Sequence, residues 1–410
     1  MPDRRGAQVF SWALYDFANT IFSMNIISMY FPLWVTQDLG GRDIAYSVSL
    51  SASVLAAGVT MPIIGVISDR SRRRMPFLIG LTLVCVAFTA GIRLTDGLIP
   101  ALVLFALANY GYQAALAPYD ALLPEVSRGV GIGRVSGLGV SLGYLGSIGG
   151  LLMVKPFVDA HGRAAAFVPS AALFLLFALP SFILVREARV TPPKGRLDVR
   201  RGFRRIIITL RHTRRYPGLL RFLAANLIYS DAVNTVIVFM AVYASRVIGM
   251  GDASIRTFLI VSTVFAAAGS FGAGYVTDRL GPKRTLMLVL GLWAFTLALA
   301  GLSPGRTVFW AVGPLAGVAL GSTWVSARAL AARLAPPRKF GEVYGLYNLG
   351  GKFGFVVGPM VWGLVVLMFE PLGMVRYRIA IFSLLLFILA ALLVLRGVPG
   401  GGGSNDAARV

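Results

Sequence analysis

Long apolar runs separated by short polar punctuation make up most of this chain. At about 1.5 Å rise per residue, a helix needs roughly 20 residues to cross a hydrocarbon layer of about 30 Å. Twelve stretches are of that class: residues 10–36, 44–68, 75–95, 98–123, 133–156, 164–186, 217–247, 253–277, 284–303, 307–332, 341–369 and 375–396. The pattern predicts an all-α membrane protein with twelve transmembrane helices. Only the stretch from Glu187 to Tyr216 interrupts it at length, with Lys194, Arg196, Arg200, Arg201, Arg204, Arg205, Arg211, Arg214 and Arg215. The expected organisation is a six-helix bundle over 1–186, a basic linker over 187–216, a second six-helix bundle over 217–397, and a disordered tail over 398–410, where nothing could pack. The short basic start, followed by an apolar stretch too long for a signal-peptide core, predicts an uncleaved first span.

The two halves repeat. Gly65-Val66-Ile67-Ser68-Asp69-Arg70 returns as Gly274-Tyr275-Val276-Thr277-Asp278-Arg279, and Gly133-Arg134-Val135-Ser136-Gly137 returns as Gly341-Glu342-Val343-Tyr344-Gly345. Two polar cassettes, Asp16-Phe17-Ala18-Asn19-Thr20 and Asp231-Ala232-Val233-Asn234-Thr235, sit at matching places in the first and seventh spans. Parallel internal repeats of six spans are how many secondary transporters build two bundles around a site near the midplane.

Composition sharpens this reading. Hydrophobic residues make up 57% and charged residues 14%, which excludes an ordinary soluble domain. A formal net charge of +22 would suggest nucleic acid in a soluble protein. Here the basic residues cluster at the ends of apolar runs, so nucleic-acid binding is not expected. Arg4, Arg5, Arg70 to Arg74, Arg128, Arg134, the linker, Arg279 to Arg284, Arg333 to Lys339 and Arg396 fall on one face. The other face has sparser charges such as Arg42, Arg93, Arg163 and Arg306, which predicts cytoplasmic termini in a bacterial cytoplasmic membrane. Cys85 is the only cysteine, and His161 and His212 lie far apart in sequence, so neither an intrachain disulfide nor a His/Cys metal site is expected, and no cofactor. Within the linker, Phe203, Ile206, Ile207 and Leu210 keep helical spacing opposite arginines, as an amphipathic helix on anionic lipid headgroups would. A solvated linker that only fixes topology is the alternative before Asp198.

A carboxylate in hydrocarbon is costly, on the order of 2.5 to 3.5 kcal/mol on insertion scales, and usually marks a pathway. Asp16 and Asp231 each lie about 15 Å along their helix from a basic flank, hence inside the membrane. At about 100° per residue Asp16, Asn19, Thr20, Ser23 and Tyr30 share one stripe, while Asp231, Asn234 and Thr235 form a shorter one. In the fourth span Asn109, Gln113 and Asp120 fall within about 40° of one another, and the tenth offers Trp324 and Arg328 at i, i+4. Asp120 is placed to pair with Arg328 or, locally, with Arg128. Tyr344, Asn348 and Lys352 run down one face of the eleventh span, with Lys352 near the bilayer centre. Its ammonium needs a partner, either Asp16, Asp231 or a solute carboxylate in a functional role, or a structural salt bridge. The glycines of the fifth and eleventh spans are read as close helix packing. Trp34, Trp293, Trp310 and Trp362 are expected at interfaces or against lipid.

Gly65-Val66-Ile67-Ser68-Asp69-Arg70-Ser71-Arg72-Arg73-Arg74 resembles the Gly-x-x-x-Asp-Arg-x-Gly-Arg-Arg signature of the major facilitator superfamily, with Arg72 in place of Gly. The second copy ends Leu280-Gly281-Pro282-Lys283-Arg284. Trp12-Ala13-Leu14-Tyr15-Asp16-Phe17-Ala18-Asn19, Leu122-Leu123-Pro124-Glu125, Gly137-Leu138-Gly139 and Gly143-Tyr144 resemble the UMF1 group, which includes the vacuolar amino-acid effluxer Atg22. The resemblance implies the major facilitator fold, with two pseudo-symmetric six-helix bundles and a central cavity lined by the first, fourth, seventh and tenth helices. It also implies a gate of Asp69, Arg70, Arg73, Asp278, Arg279, Lys283 and Arg284, in which Asp69 accepts bonds from a helix N-terminus and from basic side chains of the other half. For Arg72 to Arg74 simple topology is the competing reading.

The expected function is secondary active transport of a small polar or zwitterionic solute, an amino acid for example, by alternating access. Protons moving through Asp16, Asp120 or Asp231 would drive it, and the protein would be a monomer. Movement of lipid, amphiphile or drug by the same fold is the alternative. An enzyme is not expected, because no phosphate loop, metal-ligand spacing or Ser/His/Asp constellation is present. A receptor lacks an extramembrane domain long enough to signal.

Overall fold

The computed structural model describes residues 2–41, 43–71, 73–187, 218–303, 305–336, 339–353 and 357–399, without the side chains of 2–4, 43, 252–253 and 352–353. The linker from residue 188 to 217 and the tail from residue 400 lie outside the described residues, and the expectations made for them stay untested.

Helices account for nearly all of it: α1 Pro2–Phe22, α2 Asp43–Ser71, α3 Met75–Ile92, α4 Leu98–Val126, α5 Ile132–His161, α6 Phe167–Leu184, α7 Leu219–Arg246, α8 Asp252–Leu280, α9 Pro282–Leu302, α10 Arg306–Leu334, α11 Phe340–Phe353, α12 Val357–Met368 and α13 Val375–Arg396. Among the described residues ten helices, α2 to α10 and α13, are long and apolar enough to span a membrane, and α12 is a shorter apolar helix. The eleventh predicted span is described in two stretches, α11 and α12, either side of residues 354–356, which lie outside the described residues. The first predicted span is α1 with its continuation, π-helical over Ser23–Tyr30 and again over Trp34–Asp38, around a single α turn at Phe31–Leu33. A π turn carries extra residue per turn, so side chains beyond Phe22 leave the 100° stripe. Tyr30, expected in line with Asp16, instead packs with Val154 and Ala166.

Two compact units result. One holds Met1–Ile206 with Lys339–Asn348, and the other Ile207–Arg338 with Leu349–Val410, so the start of α11 belongs with the first six helices.

In the first unit α1 is the hub. Trp12 stacks on Tyr119 at 4.5 Å, Tyr15 on Tyr119 at 4.8 Å, and Phe31 on Phe105 at 4.2 Å, which fixes α1 antiparallel to α4. The Trp12 indole N–H donates to the Tyr119 carbonyl and the Tyr119 hydroxyl to the Trp12 carbonyl. On its other side α1 meets the glycines of α5. A Cβ at Gly146 would stand 2.3 Å from the Phe17 carbonyl oxygen, so only glycine allows that approach. Lipid tails are as apolar as a protein core, so helices in membranes are held by close van der Waals contact and backbone approach of this kind. The second unit uses the same device at α8 and α10, where a Cβ at Gly317 would lie 2.1 Å from the Ser262 carbonyl oxygen.

Three tryptophans overturn their expected placement. Trp34 and Trp362 are buried, and Trp293 is 1% exposed, donating from its indole to Thr323 at 3.0 Å. Their polar atoms and rings find partners inside the unit; Trp362, for one, stacks on Phe239.

Candidate functional site

Each cassette is buried against a glycine helix of its own unit. Asp16 is 4% exposed, and a Cβ at Gly139 would touch its Oδ2 at 2.7 Å. One turn on, Thr20 donates to the Gly143 carbonyl at 2.6 Å. In the second unit Asp231, also 4% exposed, accepts the backbone N–H groups of Val357 and Gly358, the first residues of α12. Thr235 donates to the Asp231 carbonyl at 2.7 Å, and a Cβ at Gly358 would collide with the Thr235 hydroxyl. The repeated Asp-x-x-x-Thr spacing therefore serves the same packing in both units, whereas the carboxylates have different surroundings.

Asn19 and Asn234 are buried as well. The Asn234 amide reaches the Gly351 carbonyl at 3.5 Å, whereas the Asn19 oxygen has no hydrogen-bond partner. On α4, Asn109 donates to the Ser53 hydroxyl at 2.7 Å and Gln113 keeps a buried oxygen without a partner. Asp120, almost fully buried, accepts from Asn348 at 2.9 Å. Two residues chosen separately from the sequence, one on α4 and one on α11, are thereby brought together. Trp324 and Arg328 are half-buried on α10. Lys352 is on α11, but its side chain lies outside the described residues.

A second constellation surrounds Asp69. Its carboxylate accepts the Arg74 guanidinium at 2.9 Å and the backbone N–H of Glu342 at 3.0 Å, with the Gly341 N–H beside it. The acceptor at a helix N-terminus is the arrangement expected from the signature, and the basic partner is Arg74 of the same loop. Arg74 also pairs with Glu125 at 2.9 Å and lies over the Phe340 ring. Glu187 accepts the backbone N–H groups of Arg74 and Met75 and so caps α3. Burial pushes the Glu187 carboxyl above its ordinary range, against the smaller opposing pull of those amides and of Arg74. The crossing of α2 and α11 is just as close: a Cβ at Gly65 would stand 2.1 Å from the Gly341 carbonyl oxygen.

The remaining signature residues are placed differently. Arg70 is half-buried and Arg73 exposed, as are Asp278, Arg279 and Arg284, and Lys283 donates to the Arg396 carbonyl. The two copies of the motif are therefore unequal in burial: Arg74 and the Asp69 carboxylate are largely covered, whereas Asp278, Arg279 and Arg284 are exposed. Sequence reasoning missed Arg74, Glu125, Glu187 and Asn25, whose amide donates to the Gly150 carbonyl. Glu125 and Glu187 had one legible signal, a lone acid in a basic flank.

This arrangement of apolar helices, internal repeats and signature loop defines a membrane transporter of the major facilitator fold. Solved structures agree in fold. A bacterial homologue of the iron transporter ferroportin, in its outward-facing state, superposes with a TM-score of 0.71 at 15% identity, over 96% of this chain and 98% of that one. The human organic anion transporter MFSD10 gives 0.71 at 13% identity, over 96% and 100%. The chain belongs to the family described as vacuole effluxer Atg22 like, whose model matches residues 127–408. Among relatives, the MFS-type transporter YxiO of Bacillus subtilis is 27% identical over 421 residues, covering 97% of this chain and 96% of that protein. Autophagy-related protein 22-2 of Aspergillus clavatus is 26% identical over 287 residues, 62% of this chain and 46% of its own length.

Proposed function

We propose that this transporter moves a small polar or zwitterionic solute, such as an amino acid, across a bacterial cytoplasmic membrane by alternating access, as a proton-coupled monomer with both termini cytoplasmic. The observation that carries the reading is the burial of Asp16, Asp120 and Asp231 inside apolar helices, where an ionisable group is expensive and rarely lacks a transport role. A buried carboxylate can hold either a proton or a charged partner, so one can be exchanged for the other during transport. Asn19, Asn109 and Gln113 in the first unit, and Asn234, Trp324, Arg328 and Lys352 in the second, are the proposed solute contacts. Asp69 is the proposed gate, with the remaining signature basic residues as its electrostatic surroundings, since it holds the first turn of α11 by bonds that are few and breakable. The basic linker is proposed to rest on anionic headgroups. The family's description as vacuole effluxers and the transporter name of the Bacillus relative support transport as the activity.

The test is a proteoliposome assay in which uptake or efflux of candidate amino acids is followed under an imposed pH gradient. Flux should follow the gradient, and Asp16→Asn should abolish that dependence. Unchanged coupling in both Asp16→Asn and Asp231→Asn rejects the proton sites.

A further inference from the structure

Several buried side-chain oxygens of the first unit lack a hydrogen-bond partner, among them the amide oxygens of Asn19, Asn25, Asn109 and Gln113. The Asn19 and Gln113 carbonyl oxygens are fully covered and without partners, on side chains of residues only 4% and 6% exposed. A buried acceptor left unmade loses the hydrogen bond it had with water, and native proteins keep few of them unless something else fills the role. Their positions coincide in depth. Tyr15 meets Tyr119 at 4.8 Å and Phe22 meets Tyr112 at 5.0 Å, so the antiparallel pair α1 and α4 is in fixed register. Asn19 falls between Tyr15 and Phe22, and Gln113 between Tyr112 and Tyr119. Asp16 lies three residues from Asn19, about one helical turn, and Asp120 seven residues from Gln113, about two turns. The described part of α1 and its continuation beyond Gly6, and all of α4, contain no Lys or Arg.

We infer that Asn19 and Gln113 bind a protonated amine of the transported solute, which makes the first unit the subsite for the solute's cationic group. The inference rests on the transport reading above and narrows it. An ammonium has three donors and no acceptor. The neighbourhood described is the converse: amide oxygens without donors, with the Asp16 carboxylate about one turn along α1. An ammonium entering there satisfies the open acceptors and stays within reach of negative charge, whereas a solute anion would meet acceptors only. Residues that discriminate in this way reject a blocked amine strongly, since the acceptors are then left buried and empty.

The experiment uses the full chain in detergent and in proteoliposomes, with leucine, glutamine and arginine as probes. Each is offered free, as its carboxamide, which keeps the α-ammonium, and as its N-acetyl form, which keeps the α-carboxylate but not the α-ammonium. For at least one side chain, the free acid and the carboxamide should raise the unfolding midpoint and compete for uptake, while the N-acetyl form does neither. Asn19→Leu and Gln113→Leu should each weaken the carboxamide response by about ten- to a hundredfold. Without solute these variants should unfold at or above the wild-type midpoint, because an unpartnered oxygen is replaced by an apolar group of similar size. That outcome separates a lost contact from a damaged fold. N-acetyl forms that bind as well as carboxamides, a response to sodium chloride alone, or leucine variants with unchanged affinity would overturn the inference. If N-acetyl forms are carried along the pH gradient, the transport reading stands and this one falls; if no probe is bound or carried in any form, both fall.

Discussion

The carboxylate of Asp69 accepts the backbone N–H of Glu342 at 3.0 Å, a bond between residues 273 apart in sequence. It joins the end of α2 to the first turn of α11, and Arg74 completes the charge balance on the other side. Replacing Asp69 by Asn keeps the size but removes the charge from both a guanidinium and a helix N-terminus. A mostly buried pair broken at one member costs about 3 to 5 kcal/mol. Asp69→Asn should therefore lower the unfolding midpoint clearly and reduce transport. A midpoint within experimental error of wild type would show that the bond carries no load.

The crossing of α2 and α11 makes a sharper demand. Gly65→Ala places a methyl group 2.1 Å from the Gly341 carbonyl oxygen, a backbone atom that cannot turn aside. The helices must separate, which should abolish transport and lower stability by more than the about 1 kcal/mol by which alanine ordinarily exceeds glycine in helix propensity. Gly80→Ala on α3, where nothing lies within 4 Å, is the matched control and should transport as wild type and unfold at or slightly above its midpoint.

Asn348→Leu removes the donor that Asp120 receives at 2.9 Å. Loss of one partner from a buried carboxylate should cost about 1.5 to 3 kcal/mol, read as a lower midpoint in chemical or thermal unfolding. Asn348→Gln, which keeps an amide donor, should recover part of it. A neutral Asn348→Leu would mean that the bond contributes little.

Glu187 gives the protein a pH-dependent term. Burial raises its folded pKa above the unfolded value near 4.3, so the folded state holds a proton that the unfolded state releases. The stability from this residue is full below the unfolded pKa and is lost as pH rises through the folded one. The unfolding midpoint of wild type minus that of Glu187→Gln should accordingly fall as pH increases from about 4 upward. A difference that grows with pH would mean that the Arg74 and Met75 amides outweigh burial.

Topology is testable with the chain's own cysteine as background. Cys85 is fully buried and should not react with a membrane-impermeant maleimide in intact cells. Thr95→Cys, in the loop between α3 and α4, should label from outside, and Arg128→Cys, between α4 and α5, only after permeabilisation. The reverse pattern would invert the proposed orientation.

Periodicity and length alone located the spans, because the bilayer imposes a fixed thickness and every backbone polar group inside it must be bonded within a helix. The cassettes stood out for the same reason: Asp16 and Asp231 are conspicuous against hydrocarbon in any arrangement. Packing decided the rest. The π turns after Phe22 moved Tyr30 off the stripe that an ideal helix would give it. The burial of Trp293 depended on a hydroxyl thirty residues away at Thr323. Asp69, Asp120 and Asp231 each accept a bond from α11 or α12, far along the chain. Helical spacing says which side chains share a face, but a hydrogen bond only 2.9 Å long depends on where two helices cross, and that is set by glycines such as Gly65 and Gly341 only once the chain has folded.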